Sequence, residues 1–326
     1  MLSFRDIIKK IEQHEESNIL ICSLELKLFS FLKKNSMSAN QLANITKSKV
    51  EGIKVLLNAL TAMGALKVNK GLYRNTSITY KYFCESSPDF KKGTVMLKLD
   101  SRDEYSDLLQ TIKKGRSLKK FDGSDDPIFR ALFTYAMHER SDLYANKIAT
   151  LVTQNRVGKL IDIGAGSGSY SAAILKKDNN ATATLMDRAA AIKVAREIHK
   201  KKSIYKRLKF INGDLFSDEF GFGYNTVFLS NIVHIYNIYE NKVILKKINK
   251  ALVNGGRVIL YDFFLKESRT EPYEAALFAV TMLLYTKTGK SYTYSEVRAL
   301  LKKTGFARIK KIEIGHGSSI IEAFKV

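Results

Sequence analysis

The sequence predicts an α/β protein, with a doubly wound sheet in the second half and a mostly helical front region that carries a small β-wing. Three observations lead there. From Val157 onward, apolar runs of strand length alternate with segments of helical period, the pattern of a parallel sheet covered on both faces. The stretch Leu160-Ile161-Asp162-Ile163-Gly164-Ala165-Gly166-Ser167-Gly168-Ser169-Tyr170 passes from a strand through alternate glycines into a helix, a nucleotide-binding device. Ahead of it, three short helical patterns precede two strands around Lys70-Gly71. At 326 residues the chain is long for one domain, and the expected divisions are 1–100, 101–150 and 151–326.

In chain order, residues 1–17 read as an amphipathic helix with Phe4, Ile7, Ile8 and Ile11 on one face, a stripe suited to packing on another helix, of this chain or of a partner subunit. Leu20–Leu32 is a helix. Ser38 caps the next, with Gln41 as its capping-box partner. Lys49–Met63 is a third, stopped by Gly64, and Ala65–Val68 and Leu72–Arg74 are the strands of the wing. This is the winged-helix pattern, which binds DNA in many proteins and forms dimers in others. Lys47, Lys49 and Lys54 are the residues that could face phosphate.

Residues 76–150 are mostly helical connection, with loops at Ser86-Ser87-Pro88-Asp89 and Gly123-Ser124-Asp125-Asp126-Pro127. Asp126 can cap the following helix and Pro127 can take its first position. Phe129, Phe133 and Met137 share one face of that helix, as core or as one wall of an apolar substrate pocket. The α/β half then reads strand Lys159–Ile163, helix Tyr170–Lys176, strand Thr182–Met186, helix Ala190–Lys201, strands Leu208–Asn212 and Thr226–Ser230, helix Glu240–Ala251 ended by Gly255-Gly256, and strand Arg257–Tyr261. Helices Pro272–Tyr285 and Ser295–Lys303 follow, and Ala307–Ile314 and Ser319–Lys325 form a terminal antiparallel hairpin about Gly315-His316-Gly317.

Composition narrows the function classes. No apolar run reaches membrane-spanning length, and the first residues lack a signal-peptide cleavage pattern. Cys22 and Cys84 share neither metal nor redox spacing, so reduced thiols in a cytoplasmic protein are expected. The net charge of +22 invites a nucleic-acid reading, but residues 1–100 carry 16 basic against 9 acidic side chains and residues 101–326 carry 38 against 23. The charge scales with length, whereas a DNA-binding module concentrates it. Lys200-Lys201-Lys202 is the densest run.

The chemistry gathers at strand ends. An NAD fingerprint needs its third glycine where Ser169 stands. Gly164, Gly166 and Gly168 after Asp162 suit S-adenosylmethionine better. Asp187, about twenty residues on, can accept the ribose hydroxyls of an adenosine. In Gly213-Asp214-Leu215-Phe216, Asp214 can take the adenine amino group while Leu215 and Phe216 supply apolar faces. His234 follows a strand on the same edge, and Asp262 ends the next strand. A carboxylate beside an imidazole fixes its tautomer and raises its pKa, so this pair reads as a base and its orienter. His14, His138, His199 and His316 lie away from this edge and are expected in solvent. No cluster has metal-ligand spacing.

These phrases, with Ser230-Asn231-Ile232-Val233-His234 and Asn254-Gly255-Gly256-Arg257, resemble the S-adenosylmethionine-dependent O-methyltransferases of the caffeate and acetylserotonin type, including bacterial antibiotic-biosynthesis members. Leu20–Tyr73, with Ala59-Leu60-Thr61-Ala62-Met63-Gly64-Ala65-Leu66, resembles their winged-helix dimerisation domain, and Tyr294–Phe306 fits their tail. The resemblance implies a Rossmann-like class I methyltransferase domain over 151–326, a helical segment over 101–150 contributing to the substrate pocket, and a homodimer. It implies Asp162, Gly164, Gly166, Gly168, Asp187, Asp214, Leu215 and Ser230 as the cofactor set. It makes His234 the general base with Asp262 as orienter, and puts Met282 in the pocket. Plant members carry an acidic and an aromatic residue after the base, where Ile235 and Tyr236 stand, and a carboxylate after a Gly-Lys pair, where Ser291 follows Gly289-Lys290. Plant phenylpropanoid substrates are therefore not implied, and the acceptor expected is a small aromatic or polyketide-like metabolite. N- or C-methylation, a non-methylating reaction on the same scaffold, and a cofactor-sensing DNA-binding regulator are the alternatives.

Overall fold

The computed structural model describes residues 2–99, 105–119 and 126–326. Gly123, Ser124 and Asp125 of the expected loop lie outside the described residues. The chain forms two compact units, Met1–Glu104 and Tyr105–Val326, so the helices after residue 104, expected as connection, belong to the second.

The first unit comprises α1 (Phe4–Glu25), α2 (Leu28–Leu32), β1 (Met37–Ser38), α3 (Ala39–Thr46), α4 (Val50–Ala62), β2 (Leu66–Asn69), β3 (Leu72–Asn75), α5 (Ser77–Phe83) and α6 (Lys92–Leu99). The sequence pattern splits α1 near Ser17-Asn18, but both side chains bond back to carbonyls one turn earlier, Gln13 and His14, so the helix continues. Its break comes at Lys27, which takes a left-handed conformation with φ 52°. Ser38 and Gln41 make both capping-box bonds. A strand not foreseen, β1, pairs with β3, giving the order β1-β3-β2. Leu28, Leu32, Leu42, Leu57 and Leu60 are completely buried beneath this wing, each worth about 1.5–3 kcal/mol. Phe4, Ile7 and Ile11 of α1 remain exposed.

The second unit comprises α7 (Leu108–Lys114), α8 (Pro127–Ser141), α9 (Ala145–Val152), β4 (Lys159–Ile163), α10 (Ser169–Lys177), β5 (Thr182–Asp187), α11 (Ala189–His199), β6 (Leu208–Asn212), β7 (Tyr224–Ser230), α12 (Ile238–Ala251), β8 (Leu252–Leu265), α13 (Tyr273–Tyr285), β9 (Tyr292–Thr293), α14 (Tyr294–Lys303), β10 (Phe306–Gly315) and β11 (Ser318–Lys325). The sheet runs β10-β11-β8-β7-β4-β5-β6, with β9 beside the end of β8. Strands β6, β5, β4, β7 and β8 are parallel, and β11 and β10 are antiparallel. The chain winds outward from β4 to β5 and β6, then returns to β7 on the other side of β4. Such a switch point opens a crevice at the carboxyl ends of the strands.

Alternate residues fill alternate faces, as the strand period of two requires. Ile161, Val227, Leu229, Val258 and Leu260 pack with α12 and α14 residues, while Leu160, Leu185, Phe228 and Ile259 pack with α9, α10 and α11 residues. Gly255-Gly256 do not end a helix: α12 stops at Ala251 and the glycines lie inside β8, where its register against β7 steps. The close approach of the Val253 and Asn225 carbonyls to Gly256 leaves no room for a side chain there. Among the described residues, no helix is long and apolar enough to cross a membrane.

Candidate active site

The glycine turn joins β4 to α10 at the switch point. Gly164, Gly166 and Gly168 have φ of 68°, 53° and 67°, values that L side chains rarely adopt. A Cβ on Gly164 would strike Ile232 and one on Gly168 would strike Leu185, whereas a Cβ on Gly166 meets nothing within 4 Å. The outer glycines therefore serve close packing, and the middle one faces open space. The N–H groups of Gly164 and Ala165 donate to the Met186 carbonyl, and that of Gly166 donates to Asp187 Oδ2 at 2.7 Å.

Asp162 is the one ionisable residue of β4's interior. It is 2% exposed. Oδ2 accepts a 2.6 Å bond from Ser171 Oγ, and Oδ1 is buried without a partner. Burial raises its pKa to about 7; the Ser171 hydroxyl opposes this and the nearby Asp187 charge adds to it. Asp187 ends β5, its second oxygen accepting the Arg188 N–H at 2.7 Å.

Asp214 is more occupied than its expected adenine role requires. Oδ1 accepts the N–H groups of Phe216 and Ser217, and Oδ2 pairs with Arg188 at 2.7 Å. Burial opposes ionisation, but these donors and the guanidinium outweigh it and hold the carboxyl below its ordinary pKa. The Arg188 pair ties the ends of β5 and β6 together. Lys247 on α12 donates to the carbonyls of Leu215, Phe216 and Asp218, so Leu215 sits in a braced loop. Ser230 ends β7, its Oγ accepting the Asn231 side-chain amide at 3.1 Å.

On the same edge lies a buried histidine–carboxylate pair. His234 sits in a short 3-10 turn, Val233–Ile235, after β7, and Asp262 in β8. His234 Nδ1 is 2.6 Å from Asp262 Oδ1, with exposures of 7% and 1%. Asp262 Oδ1 also accepts the Phe263 N–H at 2.7 Å. A carboxylate only accepts, so neutral His234 carries its hydrogen on Nδ1 and a lone pair on Nε2. Phe278 of α13 stands edge-on to His234 with centroids 4.8 Å apart, and Phe263 lies 4.6 Å from Phe278. Gly289 packs directly on the His234 carbonyl and the Ile235 backbone, where a Cβ would collide. The turn carrying the imidazole is thus fixed from its backbone side as well.

The remaining expected residues divide. Phe129 and Phe133 stack on α8 at 6.0 Å but stay 53% and 43% exposed, which excludes the core reading for them. Met137 is half-buried on the same helix. Met282 is 7% exposed within α13; the residue that meets His234 is Phe278, one turn earlier. Sequence reasoning missed Phe278 and Phe263, although four-residue spacing back from Met282 points to Phe278. His14 and His316 are exposed, but His199 is buried and His138 half-buried, both bonded beside the glycine turn, correcting the solvent expectation for those two.

Comparison with known proteins agrees with this geometry. The profile of the O-methyltransferase domain family matches residues 103–307, and that of the O-methyltransferase dimerisation domain matches residues 9–83. The chain is 25% identical over 308 residues to 3-hydroxy-5-methyl-1-naphthoate 3-O-methyltransferase of Streptomyces sahachiroi, covering 91% of this chain and 88% of that one. It is 24% identical over 302 residues to L-tyrosine C(3)-methyltransferase of Streptomyces lavendulae, covering 88% and 82%. The fold matches the crystal structure of human N-acetylserotonin methyltransferase in complex with SAM, with a TM-score of 0.84, 20% identity and coverage of 99% and 97%. The two profiles together span most of the chain, and it belongs to the O-methyltransferase family.

Proposed function

We propose that this chain methylates a hydroxyl of a small aromatic or polyketide-like metabolite, using S-adenosyl-L-methionine as donor and His234 as general base. The observation that carries the reading is the 2.6 Å contact of His234 Nδ1 with Asp262 Oδ1, buried beside Phe278. The residues present fit the donor: a carboxylate oxygen of Asp162 lies buried without a partner, and open space faces Gly166. Asp162 would hold the amino end of the donor, the Gly164–Gly168 turn its methionine chain, and Asp187 its ribose. Leu215, Asp214 and Ser230 would border the adenine end. When bound, S-adenosylmethionine supplies an electrophilic methyl group on a sulfonium sulfur.

With Nδ1–H committed to Asp262, Nε2 of His234 is the atom able to accept the acceptor's hydroxyl proton. A free imidazole titrates near 6.5 and a phenol near 10, so complete transfer before reaction would cost roughly 5 kcal/mol. The hydroxyl proton would therefore pass to Nε2 during the transfer and not before it, and Asp262 would stabilise the imidazolium that forms. Phe278 covers the imidazole edge-on with apolar surface, and Phe263 packs on Phe278. Excluding water favours a reaction in which a cation and a developing anion cancel. Orienting two reactants can supply roughly 7–11 kcal/mol, more than the base alone.

Homodimerisation is proposed from the dimerisation-domain match and from the apolar residues the first unit leaves exposed, Phe4, Ile7, Ile11 and Val55. Methylation at carbon is the second reading, favoured by the tyrosine C(3)-methyltransferase relative. The test is calorimetric titration with S-adenosylmethionine and S-adenosylhomocysteine beside an Asp187→Ala variant, followed by a phenolic-acceptor screen with mass analysis of the product. Micromolar binding lost in the variant and an O-methyl product support the reading. Absence of binding overturns the donor assignment, and a ring-methylated product moves the methyl from oxygen to carbon.

A further inference from the structure

Two histidines apart from the His234 pair converge on the glycine turn. His199 ends α11 at 1% exposure, and its Nε2 is 2.8 Å from the Ser167 carbonyl oxygen. A carbonyl only accepts, so Nε2 carries the hydrogen, and Nδ1 is left buried with no partner. His138 on α8 brings Nδ1 within 2.6 Å of Ser169 Oγ, which is 2.7 Å from Ser167 Oγ. The two rings meet edge to face, 6.5 Å apart. Ser167 is therefore gripped by its carbonyl and by its hydroxyl. It lies between Gly166 and Gly168, while Asp187 holds the Gly166 N–H from the other side.

We propose that His199 and His138 are positioning residues for the methyl donor: they clamp Ser167 and thereby hold the Gly164–Gly168 turn in the shape the donor meets. The proposal rests on the reading that S-adenosylmethionine lies along this turn. Three glycines in five residues give the segment more conformational freedom than any other stretch of the sheet edge. A turn in its competent shape only a tenth of the time binds ten times more weakly. An imidazole with one unpaired buried nitrogen is a costly filler, since an apolar side chain would fill the same space without burying a lone pair; what the ring adds is a donor aimed at one carbonyl. The charge environment keeps that donor in place. Burial pushes the His199 pKa down to about 4; the Ser167 bond opposes this and the neighbouring Lys202, His138 and Lys176 deepen it. Asp142 lies near Lys202 and is the one anion among these groups. The ring stays neutral, with Nε2–H intact, across any ordinary assay range.

The experiment compares S-adenosylhomocysteine affinity by calorimetry in wild type, His199→Phe and His199→Gln, with ligand-free melting of each. Phe keeps the ring and removes the donor; Gln offers an amide N–H near the Nε2 position without a titrating group. Expected are a Kd at least tenfold higher for His199→Phe and recovery to within about threefold of wild type for His199→Gln. The KM for S-adenosylmethionine should rise by a larger factor than kcat falls. A cooperatively melting His199→Phe that binds within twofold of wild type overturns the proposal, as does a Gln variant no better than Phe. If His199→Phe does not fold, Ser169→Ala cuts the second grip; it should weaken binding at least fivefold, and unchanged affinity overturns the clamp. Wild type that fails to bind S-adenosylhomocysteine overturns the donor reading instead, so the two failures are distinguishable.

Discussion

The second unit buries two histidines whose partners make them chemically different. His234 faces a carboxylate, Asp262, at 2.6 Å and leaves Nε2 with a lone pair. His199 faces a carbonyl, that of Ser167, through Nε2 itself, with Lys202 and Lys176 nearby. An anion beside the ring stabilises an imidazolium, so His234 has the surroundings of a group that gains a proton during a reaction. Burial, aided by two nearby ammonium groups, penalises the same charge and outweighs the pull of the Ser167 carbonyl, so His199 has the surroundings of a fixed donor. Burial alone does not decide what a histidine does; the charge of its partner and the nitrogen that meets it do.

Replacement of the reactive member should have the largest effect on chemistry. His234→Ala is expected to lower kcat by about 10²–10⁴-fold, the usual worth of general-base catalysis, with S-adenosylhomocysteine affinity within about threefold of wild type. Retention of near wild-type turnover would remove the base assignment. Asp262→Asn tests the partner: an amide can donate to Nδ1 and so shift the ring's hydrogen to Nε2, and a kcat loss on the order of 10²-fold is expected. If Asn and Asp give equal rates, orientation and charge from this position do not matter. Gly289→Ala pushes a methyl into the His234 carbonyl and the Ile235 backbone. Overpacking of this kind costs about 1–3 kcal/mol, read as a lower melting temperature, and displacement of the turn should lower kcat about tenfold with donor affinity unchanged. Loss of donor affinity instead would show that this contact shapes the other end of the site.

The smallest effect expected concerns Asp162, whose folded pKa of about 7 lies above the ordinary aspartate value of 3.8. The protonated form therefore contributes stability in full below 3.8, and that contribution is gone once pH rises through about 7. A cationic donor works in the opposite sense: it favours the carboxylate, so affinity should increase as pH climbs through 7 and a fraction of a proton should be released on binding. Calorimetry at pH 6.5 in buffers of differing ionisation enthalpy measures that release. Asp162→Asn should abolish it; release that persists in the variant would place the titrating group elsewhere.

The contrast between the histidines also separates what the sequence discloses from what it hides. His234 is visible because it follows a strand whose end lies on the ligand edge, with an aspartate where the sequence pattern ends the next strand, which in the fold runs on past it to Leu265; strand order alone brings the two together. His199 is invisible on that logic, because its partner is a backbone carbonyl, which no residue type announces. A faint signal existed: Ala191, Ala195 and His199 recur at helical spacing on the buried side of α11. The sheet, its terminal hairpin and the wing follow from periodicity and turn residues. The continuity of α1 across Ser17-Asn18 does not, since side chains that bond back to their own helix look like loop formers in one dimension. Gly255-Gly256 mislead for a related reason, because glycine reads as a helix stop while here close backbone approach within a strand requires it. The expected adenine role of Asp214 shows a further limit: position on the edge is readable, but its bonds to the Phe216-Ser217 turn and to Arg188 are not.

Strand β11 follows every other strand in the sequence, yet it lies inside the sheet between β8 and β10, with Ser319 in register against Asp262. Synthesis is vectorial, and units of a chain fold as they emerge. The first unit can assemble while the second is still being translated. The second cannot finish, because β8 keeps a bare edge until residues 318–325 leave the ribosome. A nascent chain stalled before that point would display the unpaired backbone of Val258–Phe263, an adhesive surface that chaperones or other nascent chains can engage. The proposed partner of the base thus reaches its final surroundings last, and catalytic competence should arrive in one step when β11 inserts.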